Sequence, residues 1–591
     1  MAQDKYFREE LTFLKEQGKN FTQIYPQLAR FLNGNNTDPD VERLLEGFAF
    51  LTARLREKVE DDFPEFTHSI INMLWPNYLR PVPSMSIVRF SPENNLTDGQ
   101  TIASGTTLNS REVHGTACQF RTCREFKIYP MVIESVQAQH TRKASVIDIE
   151  FQLQGTMTLG DINLTDLRFF LGGDHYSSQM LYLWLNHYIE SLTIDVEGVI
   201  FPLSLKALHM VGFGDDDGLL PYPKNAYAGY RILQEYLSFQ DSFYFFDLQE
   251  LDKALPKSIT GKFTLKIAFS KTLPTDVRVT KEHLQLYCSP VVNLFEHDAD
   301  PIELTGKSAE YKLIPSSQFS SHYEVFSVDA VYGWLEKDGD IQSGRARGQR
   351  REYSAFESFQ HEIERANNRS ANYYRVRVRD SLRKDGFDHC LSFVRGDELQ
   401  AITQNEIVSV KLTCTNRLLP SELNIGEIDQ PADSSPAFAS FQNITIPTQT
   451  LRPVLDGSLL WTLISNLSLN YLSLLSKDAL SGIFRAYDFK ALVDRQAEMV
   501  GQRRLDGIEN IKSNPVDKII YGRSVRGLES TLYLGQDAFA SEGELYLFGT
   551  VLSRFFALYA SINSFHQLTV INTKNNEKYT WDLQIGMQPL I

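Results

Sequence analysis

The chain has 591 residues and a formal net charge of −15 at pH 7, and 42% of its residues are hydrophobic. This length suits about three or four domains with sizeable cores. The acidic balance argues against broad nucleic-acid binding and against docking on an anionic membrane. Five dispersed cysteines fit a reducing cytoplasm, and the first residues lack a signal-peptide apolar core, so we expect a cytoplasmic protein.

The apolar spacing near the N-terminus predicts a helical hairpin. Two stripes repeat every three or four residues, which keeps each stripe on one side of a helix. The first stripe is Phe7, Leu11, Leu14, Gly18, Phe21 and Tyr25, and the second is Val41, Leu44, Phe48, Leu51, Leu55 and Val59. Such stripes must be buried. An ordinary bundle and a bundle shared with other chains both fit this pattern.

Helix-start and helix-stop residues set the limits of this hairpin. Asp38 is expected to cap the second helix and Pro39 to be its first residue, where a missing N–H costs nothing. A third apolar segment follows, and Pro76, Pro81 and Pro83 turn the chain toward extended structure.

The middle of the chain changes to the alternation of half-buried strands. It is clearest over residues 147–153, 263–269, 375–379 and 408–414. We therefore predict a multidomain α+β protein with a helical N-terminal bundle segment, β-rich middle domains, and a C-terminal mixed domain containing buried helices. The expected boundaries give residues 1–83 as the helical segment, 84–215 and 216–435 as β-rich regions, and 436–591 as the C-terminal α+β domain.

Helical patterns return near the C-terminus. Residues 457–476 carry no charge and are long enough to cross a bilayer, but their asparagine and serine side chains would be costly in lipid. We predict a buried, intersubunit helix instead, with the stripe Leu460, Ile464, Leu467, Tyr471 and Leu474. Further helices are predicted over 491–499 and 545–562.

Several motifs that suggest chemistry are incomplete. The P-loop-like run at 304–308 has Pro301 where the first glycine belongs, and the zinc-protease-like run at 361–365 ends in Arg365 instead of histidine. Asp215 and Asp217 lack the next oxygen ligand of a calcium loop, because that position is Leu219. We therefore predict no catalytic residue, no metal site and no cofactor.

Some alternatives remain open at this level. The basic loop 345–351 could be solvated, contact an acidic partner protein or bind a phosphate backbone. The arginines of strand 375–379 have the same alternatives and could also pair with acidic neighbours in their own sheet. A serine–histidine–aspartate triad needs no local motif. The alternative functions are an enzyme of unrecognised type, such as a glycan hydrolase, and a carbohydrate- or calcium-dependent binding module in the middle domains.

Several long motifs resemble the TssF family, also called VasA or ImpG, of type VI secretion baseplate subunits. They occur in the family's order and span nearly the whole chain. They are DPDVERLLEGFAFLTAR (38–54), PNYLRPVPS (76–84), GYRILQEY (229–236) with FYFF (243–246), CSPVVNLF (288–295), CTNRLLP (414–420), the run 461–475, and SINSF (561–565).

The resemblance implies a structural role in a contractile, phage-tail-like machine. Family members are cytoplasmic, and two copies join one TssG in a wedge. TssK attaches through TssG, TssE links the wedge to the sheath, and the wedges surround the VgrG hub that supports the Hcp tube and sheath. In that picture the two N-terminal stripes would join a multi-chain bundle, and the stripe that begins at Leu460 would make subunit contacts.

Overall fold

The computed structural model describes residues 7–8, 11–17, 39–60, 68, 70–72, 75–94, 96–155, 157–222, 228–305, 308–335, 349–356, 372–381, 386–395, 406–455, 477–520, 522–557, 560 and 564–586. The chain divides into two compact units. One comprises Met1–Ile71 with Leu455–Ile464, and the other comprises Asn72–Val454 with Ser465–Ile591.

Described helices lie near both ends of the chain, as the sequence predicts, and also within residues 175–254, where the sequence predicts β-rich structure. Residues 7–8 and 11–17 are helical. The helices with described bounds are α1 (Pro39–Glu60), α2 (His175–His187), α3 (Ala228–Ser238), α4 (Leu251–Ala254), α5 (Lys477–Tyr487), α6 (Phe489–Val493), α7 (Arg495–Asp506) and α8 (Glu542–Ala557). Among the described helices, none is long and apolar enough to span a bilayer.

Strands dominate residues 85–443 and return near the C-terminus. The first half contains β1 (Met85–Pro92), β2 (Gln100–Ile102), β3 (Thr107–Val113), β4 (Thr116–Thr122), β5 (Phe126–Ile128), β6 (Met131–His140), β7 (Ser145–Leu153), β8 (Leu167–Phe170), β9 (Ile189–Val196), β10 (Val199–Leu203), β11 (Leu208–Val211), β12 (Phe245–Leu248), β13 (Lys262–Phe269), β14 (Gln285–Leu286) and β15 (Cys288–Val292).

The second half contains β16 (Phe295–Asp298), β17 (Ile302–Leu304), β18 (Tyr311–Lys312), β19 (Glu324–Leu335), β20 (Gln349–Ala355), β21 (Asn372–Asp380), β22 (Phe387–Arg395), β23 (Glu406–Thr415), β24 (Gln430–Pro431), β25 (Ala439–Asn443), β26 (Ile508–Ile520), β27 (Arg523–Leu534), β28 (Phe565–Asn572), β29 (Lys578–Thr580) and β30 (Gln584–Ile585). The mixed α+β class is therefore confirmed.

Four larger sheets organise the second unit. Their strand orders are β24-β3-β4-β15-β1-β25, β10-β9-β13-β7-β6, β16-β23-β19-β20-β21-β22-β18 with β17 beside β23, and β26-β27-β28-β29 with β30 beside β28. The first sheet contains strands from all three of the segments predicted between residue 84 and the C-terminus, so the chain returns to this sheet several times. The predicted domain boundaries themselves stay a prediction.

The predicted strands over 147–153, 263–269, 375–379 and 408–414 are confirmed as parts of β7, β13, β21 and β23. Over residues 147–153 of β7 the apolar positions are buried and the polar ones half-buried, because one face of the sheet packs inward while the other meets water. Ion pairs cover that outer face; Lys266 Nζ, for example, lies 2.9 Å from an Asp195 carboxylate oxygen.

Helices α2, α3 and α8 pack together in the core of the second unit. The crossing of α2 and α8 is very close at Gly543, where a Cβ atom would lie 2.0 Å from the Gln179 carbonyl oxygen. Only glycine fits at this point, so the spacing of the two helices depends on Gly543.

Two helix predictions need correction or lie outside the described residues. The single helix predicted over 491–499 is wrong: α6 ends at Val493, and α7 begins at Arg495. The break occurs because the Asp494 side chain accepts a hydrogen bond from the Gln496 amide and caps the second helix. The run 461–475 lies outside the described residues.

Candidate interaction surface and its supporting core

Helix α1 has two different apolar faces. Leu44, Phe48 and Leu51 are 73%, 59% and 60% exposed, whereas Ala49 and Ala53 are buried. At 100° per residue, the alanines lie roughly opposite the exposed stripe. Small side chains on the buried face permit close packing within the first unit, and the large side chains of the other face remain in water.

This exposed stripe is suited to helix docking. Its members are spaced by four and three residues, which is the pattern that fits the groove of a second helix. Fully burying one Leu or Phe side chain contributes about 1.5–3 kcal/mol, so the stripe offers substantial binding energy that folding has not used.

The segment that begins the second unit is deeply buried. Asn77, Tyr78 and Leu79 form a 3-10 turn with almost no exposed surface. Tyr78 packs edge-on against Tyr487 and Phe489, with ring centroids 5.7 and 5.4 Å away. Burial raises the pKa of Tyr78 to about 12, so its side chain stays neutral and acts as a packing group.

Polar contacts fix the same segment from both sides. The Asn77 side-chain amide donates to the Pro221 carbonyl at 3.0 Å and its oxygen accepts from Arg80 at 3.0 Å. The Arg80 guanidinium lies 5.1 Å from the Phe326 ring centroid. Residues that are distant in sequence therefore meet at this turn.

The acidic turn at Asp215–Asp217 is a structural element. One Asp217 carboxylate oxygen accepts the backbone N–H groups of Gly212 and Gly214, both at 2.8 Å. Burial alone would raise the pKa of Asp217, but nearby Arg124 and the two amides hold it below its ordinary value. Asp215 remains exposed.

Two buried arginines attach this turn to the core. Arg124 donates to the Asp217 carbonyl at 2.9 Å, and Arg231 donates to the Gly214 carbonyl at 2.7 Å. Arg231 belongs to α3, as does Glu235, which accepts the Leu219 amide at 2.9 Å. Burial raises the pKa of Glu235. The geometry explains this loop as a packed corner and not as a metal loop.

A sequence model described as "Type VI secretion system, TssF" matches residues 2–588. The chain belongs to the TssF family. A curated relative, "Type VI secretion system component TssF1" of Pseudomonas aeruginosa, is 28% identical over 630 residues, covering 99% of each chain. Two solved structures are also similar to this TssF-family chain.

The first is a TssK-TssF-TssG baseplate subcomplex of the type VI secretion system, determined by cryo-electron microscopy. One of its chains is 30% identical to this chain, with a TM-score of 0.75, and 92% of this chain and 98% of that chain are covered. The second is a type VI secretion baseplate complex, with 26% identity, a TM-score of 0.62 and full coverage of both chains.

The structure places the predicted interface residues of this TssF chain in two groups. Among the described ones, Phe7, Leu11, Leu14 and Val41 are half-buried, and Leu44, Phe48 and Leu51 are exposed. The others lie outside the described residues or have undescribed side chains: Phe21, Tyr25, Leu55, Leu460, Ile464, Leu467, Tyr471 and Leu474. Their role at an interface stays a prediction.

The remaining candidate residues have the following surroundings where they are described. Glu310, which directly precedes β18, pairs with Arg377 and Arg379 at 3.2 and 2.9 Å, so these two arginines have an acidic neighbour beside their own sheet. Burial raises the pKa of Cys118 and of Cys123 to about 12. Across the described ranges, no group of three His, Cys, Asp or Glu side chains is placed to hold a metal. Residues 345–348 of the predicted basic loop and the run 361–365 lie outside the described ranges. The loop prediction is wrong for residues 349–351, which lie on strand β20.

The sequence analysis missed the two arginines that hold the acidic turn. Arg231 lies inside the GYRILQEY motif, but a lone arginine in an apolar helix gives no sign of its partner. The sequence does contain a signal for the turn itself. The run Gly212-x-Gly214 is followed by Asp217, and an aspartate side chain often bonds to backbone amides two or three residues away.

Proposed function

We propose that this chain is a structural subunit of a type VI secretion baseplate wedge and performs no catalysis. The observation that carries the proposal is helix α1, whose stripe of Leu44, Phe48 and Leu51 stays in water while Ala49 and Ala53 are buried. The exposed stripe does not stabilise the folded monomer, whereas a partner chain can bury it in an assembly. The similarity to chains of solved baseplates supports the same function.

The partners we propose follow from these relatives. The similar solved subcomplex contains TssK, TssF and TssG, so TssG- and TssK-type subunits are the first partners, with a second copy of this chain in each wedge. TssE, the VgrG hub, the Hcp tube and the sheath would complete the surroundings. The assembly would form in the cytoplasm and be recruited to the membrane-anchored secretion apparatus.

The proposed mechanism is mechanical. The apolar stripes would form a helical bundle with partner chains. Sheath contraction would then shift the wedge between two interface arrangements.

The decisive experiment is to purify the tagged full chain from its own cells and measure the mass and composition of the complex. We expect a TssG-type and a TssK-type subunit to copurify, with two copies of this chain for each TssG-type subunit. A stable lone monomer would contradict the proposal and redirect attention to a cleft in the middle sheets.

A further inference from the structure

The outer face of the eight-stranded sheet carries a row of large side chains in water. Ile407 on β23, Trp334 on β19 and Arg350 on β20 lie directly opposite one another. Trp334 is 45% exposed and Ile407 is 46% exposed. Tyr332 lies two residues before Trp334 and therefore on the same face. These four side chains define the Trp334 patch.

The pairing register of the strands places the Trp334 patch on the outer face of the sheet. The alternate positions Val331, Val408 and Tyr353 are buried in the core on the opposite face of the sheet. A slip of one residue in the strand pairing would bury the patch residues and expose Val331, Val408 and Tyr353. Burial of these core residues therefore fixes the register that keeps the patch exposed to water. Packing of the sheet therefore does not account for a tryptophan and an isoleucine at these outward positions.

The Arg350 guanidinium is held in one orientation by an aromatic ring. Its guanidinium carbon lies 3.9 Å from the centroid of the Tyr332 ring, a stacking contact that restrains the guanidinium plane. Within the part of the chain that the structure describes, no carboxylate pairs with it. Arg377 and Arg379, in the same sheet, are by contrast satisfied by Glu310. Arg350 thus presents its N–H donors to solvent in a geometry that matches a carboxylate.

The residue types in the patch are those typical of the centre of a protein–protein interface. Tryptophan, tyrosine and arginine are the residue types most enriched among the side chains that dominate binding energy. Trp334 and Ile407 form an exposed apolar cluster beside Arg350, a cation that no described carboxylate neutralises, and such a surface suits a partner that supplies both an apolar side chain and a negative charge. A nucleic acid also supplies negative charge, but the net charge of −15 disfavours it.

We propose that the Trp334 patch docks an acidic segment of a partner protein in the assembly. A partner Asp or Glu carboxylate accepts two hydrogen bonds from Arg350, and an adjacent apolar side chain of that segment covers Trp334 and Ile407. This inference rests on the proposed function, because it requires a multi-subunit complex, but it concerns a surface separate from α1.

The first test uses the complex purified through the tagged full chain. Arg350→Glu reverses the charge and is expected to weaken recovery of one partner subunit at least tenfold, while Arg350→Lys keeps the charge but loses the two-pronged geometry and gives an intermediate loss. Arg375→Glu is the matched control, since Arg375 is an exposed arginine of the same sheet, on β21, and pairs with no carboxylate among the described residues. Equal recovery from Arg350→Glu and Arg375→Glu would overturn the inference.

The second test identifies the occupant. A photoreactive benzoylphenylalanine in place of Ile407 is expected to cross-link a peptide of another subunit that contains Asp or Glu close to the attachment point. Cross-links only to a second copy of this chain, to nucleic acid, or to a segment without acidic residues would overturn it. If the complex forms normally while both tests fail, the docking inference is wrong and the baseplate function stands.

Discussion

At the residue scale, two aspartates have structural roles that their sequence context hides. Asp217 satisfies backbone amides inside a turn, and Asp174 caps α2, accepting from the Ser177 amide and lying 2.9 Å from His283 Nε2. Both carboxyls have pKa values below the ordinary range. Each therefore stabilises the fold only while it is ionised.

Asp217→Ala should lower the free energy of unfolding by about 2–4 kcal/mol, because two hydrogen bonds to a charged group are lost and two amides are left unpaired. Thermal unfolding followed by calorimetry measures the loss. Asp215→Ala is the control in the same turn; as an exposed position it should change stability by no more than about 0.5 kcal/mol. Equal effects from both variants would refute the role assigned to Asp217.

The lowered pKa of Asp174 predicts that the folded protein loses stability in acid. Burial opposes its ionisation, but hydrogen bonds from His283 and Ser177 lower its pKa from 3.8 to about 2. Because the folded pKa is below the unfolded one, the stabilisation is complete above pH 4 and is lost as the pH falls toward 2. The melting-temperature difference between the parent and Asp174→Asn should shrink as the pH falls from 4 toward 2. A difference that does not change with pH would contradict this account.

At the element scale, the two faces of α1 predict opposite phenotypes. Phe48→Asp and Leu51→Asp place charges at exposed positions, so the isolated chain should keep its helical circular dichroism. Both should abolish complex formation, because a partner would bury an unpaired charge at a cost of several kcal/mol. Ala49→Asp, on the buried face, should instead lower the helical signal itself. An intact complex from both exposed-face variants would remove α1 from the interface.

The close crossing of α2 and α8 gives a second prediction at this scale. Gly543→Ala should destabilise the second unit by about 1–3 kcal/mol, since the new methyl group overlaps the Gln179 carbonyl and forces the helices apart. Gly482→Ala in α5 is the matched control: apart from its chain neighbours and its own helix backbone, no described atom lies within 4 Å of the added Cβ. That control should stabilise the chain slightly, because alanine is the better helix former by about 1 kcal/mol. Thermal melts of the two variants would distinguish them.

At the scale of the whole molecule, the buried turn at residues 76–79 connects elements that are far apart in the chain. Tyr78 contacts the end of α5 and the start of α6, while Asn77 bonds to Pro221. The proline-rich segment 76–83, which the sequence marks only as the end of a helical segment, therefore contributes a central part of the core of the second unit.

Tyr78→Ala should cost about 3–5 kcal/mol, because it removes a fully buried aromatic ring. Limited proteolysis should then cleave the second unit faster than in the parent. Tyr78→Phe keeps the ring and should behave almost as the parent, since packing and not the hydroxyl is what the site uses. Equal protease sensitivity of the two variants would mean that the ring does not stabilise this turn.

The sequence by itself determined the local features of this protein: the α+β class, strands such as β7 and β23, helix α1 from Pro39 onward, and the family. These follow from periodicity, turn residues and long motifs, which are local. Only the tertiary structure decided which face of α1 is buried, why Arg231 lies inside a helix motif, and that Ile407, Trp334 and Arg350 form one row. Those facts depend on strand register and on contacts between residues distant in the chain, because side chains that meet across a sheet or a helix crossing leave no trace in the spacing of either partner.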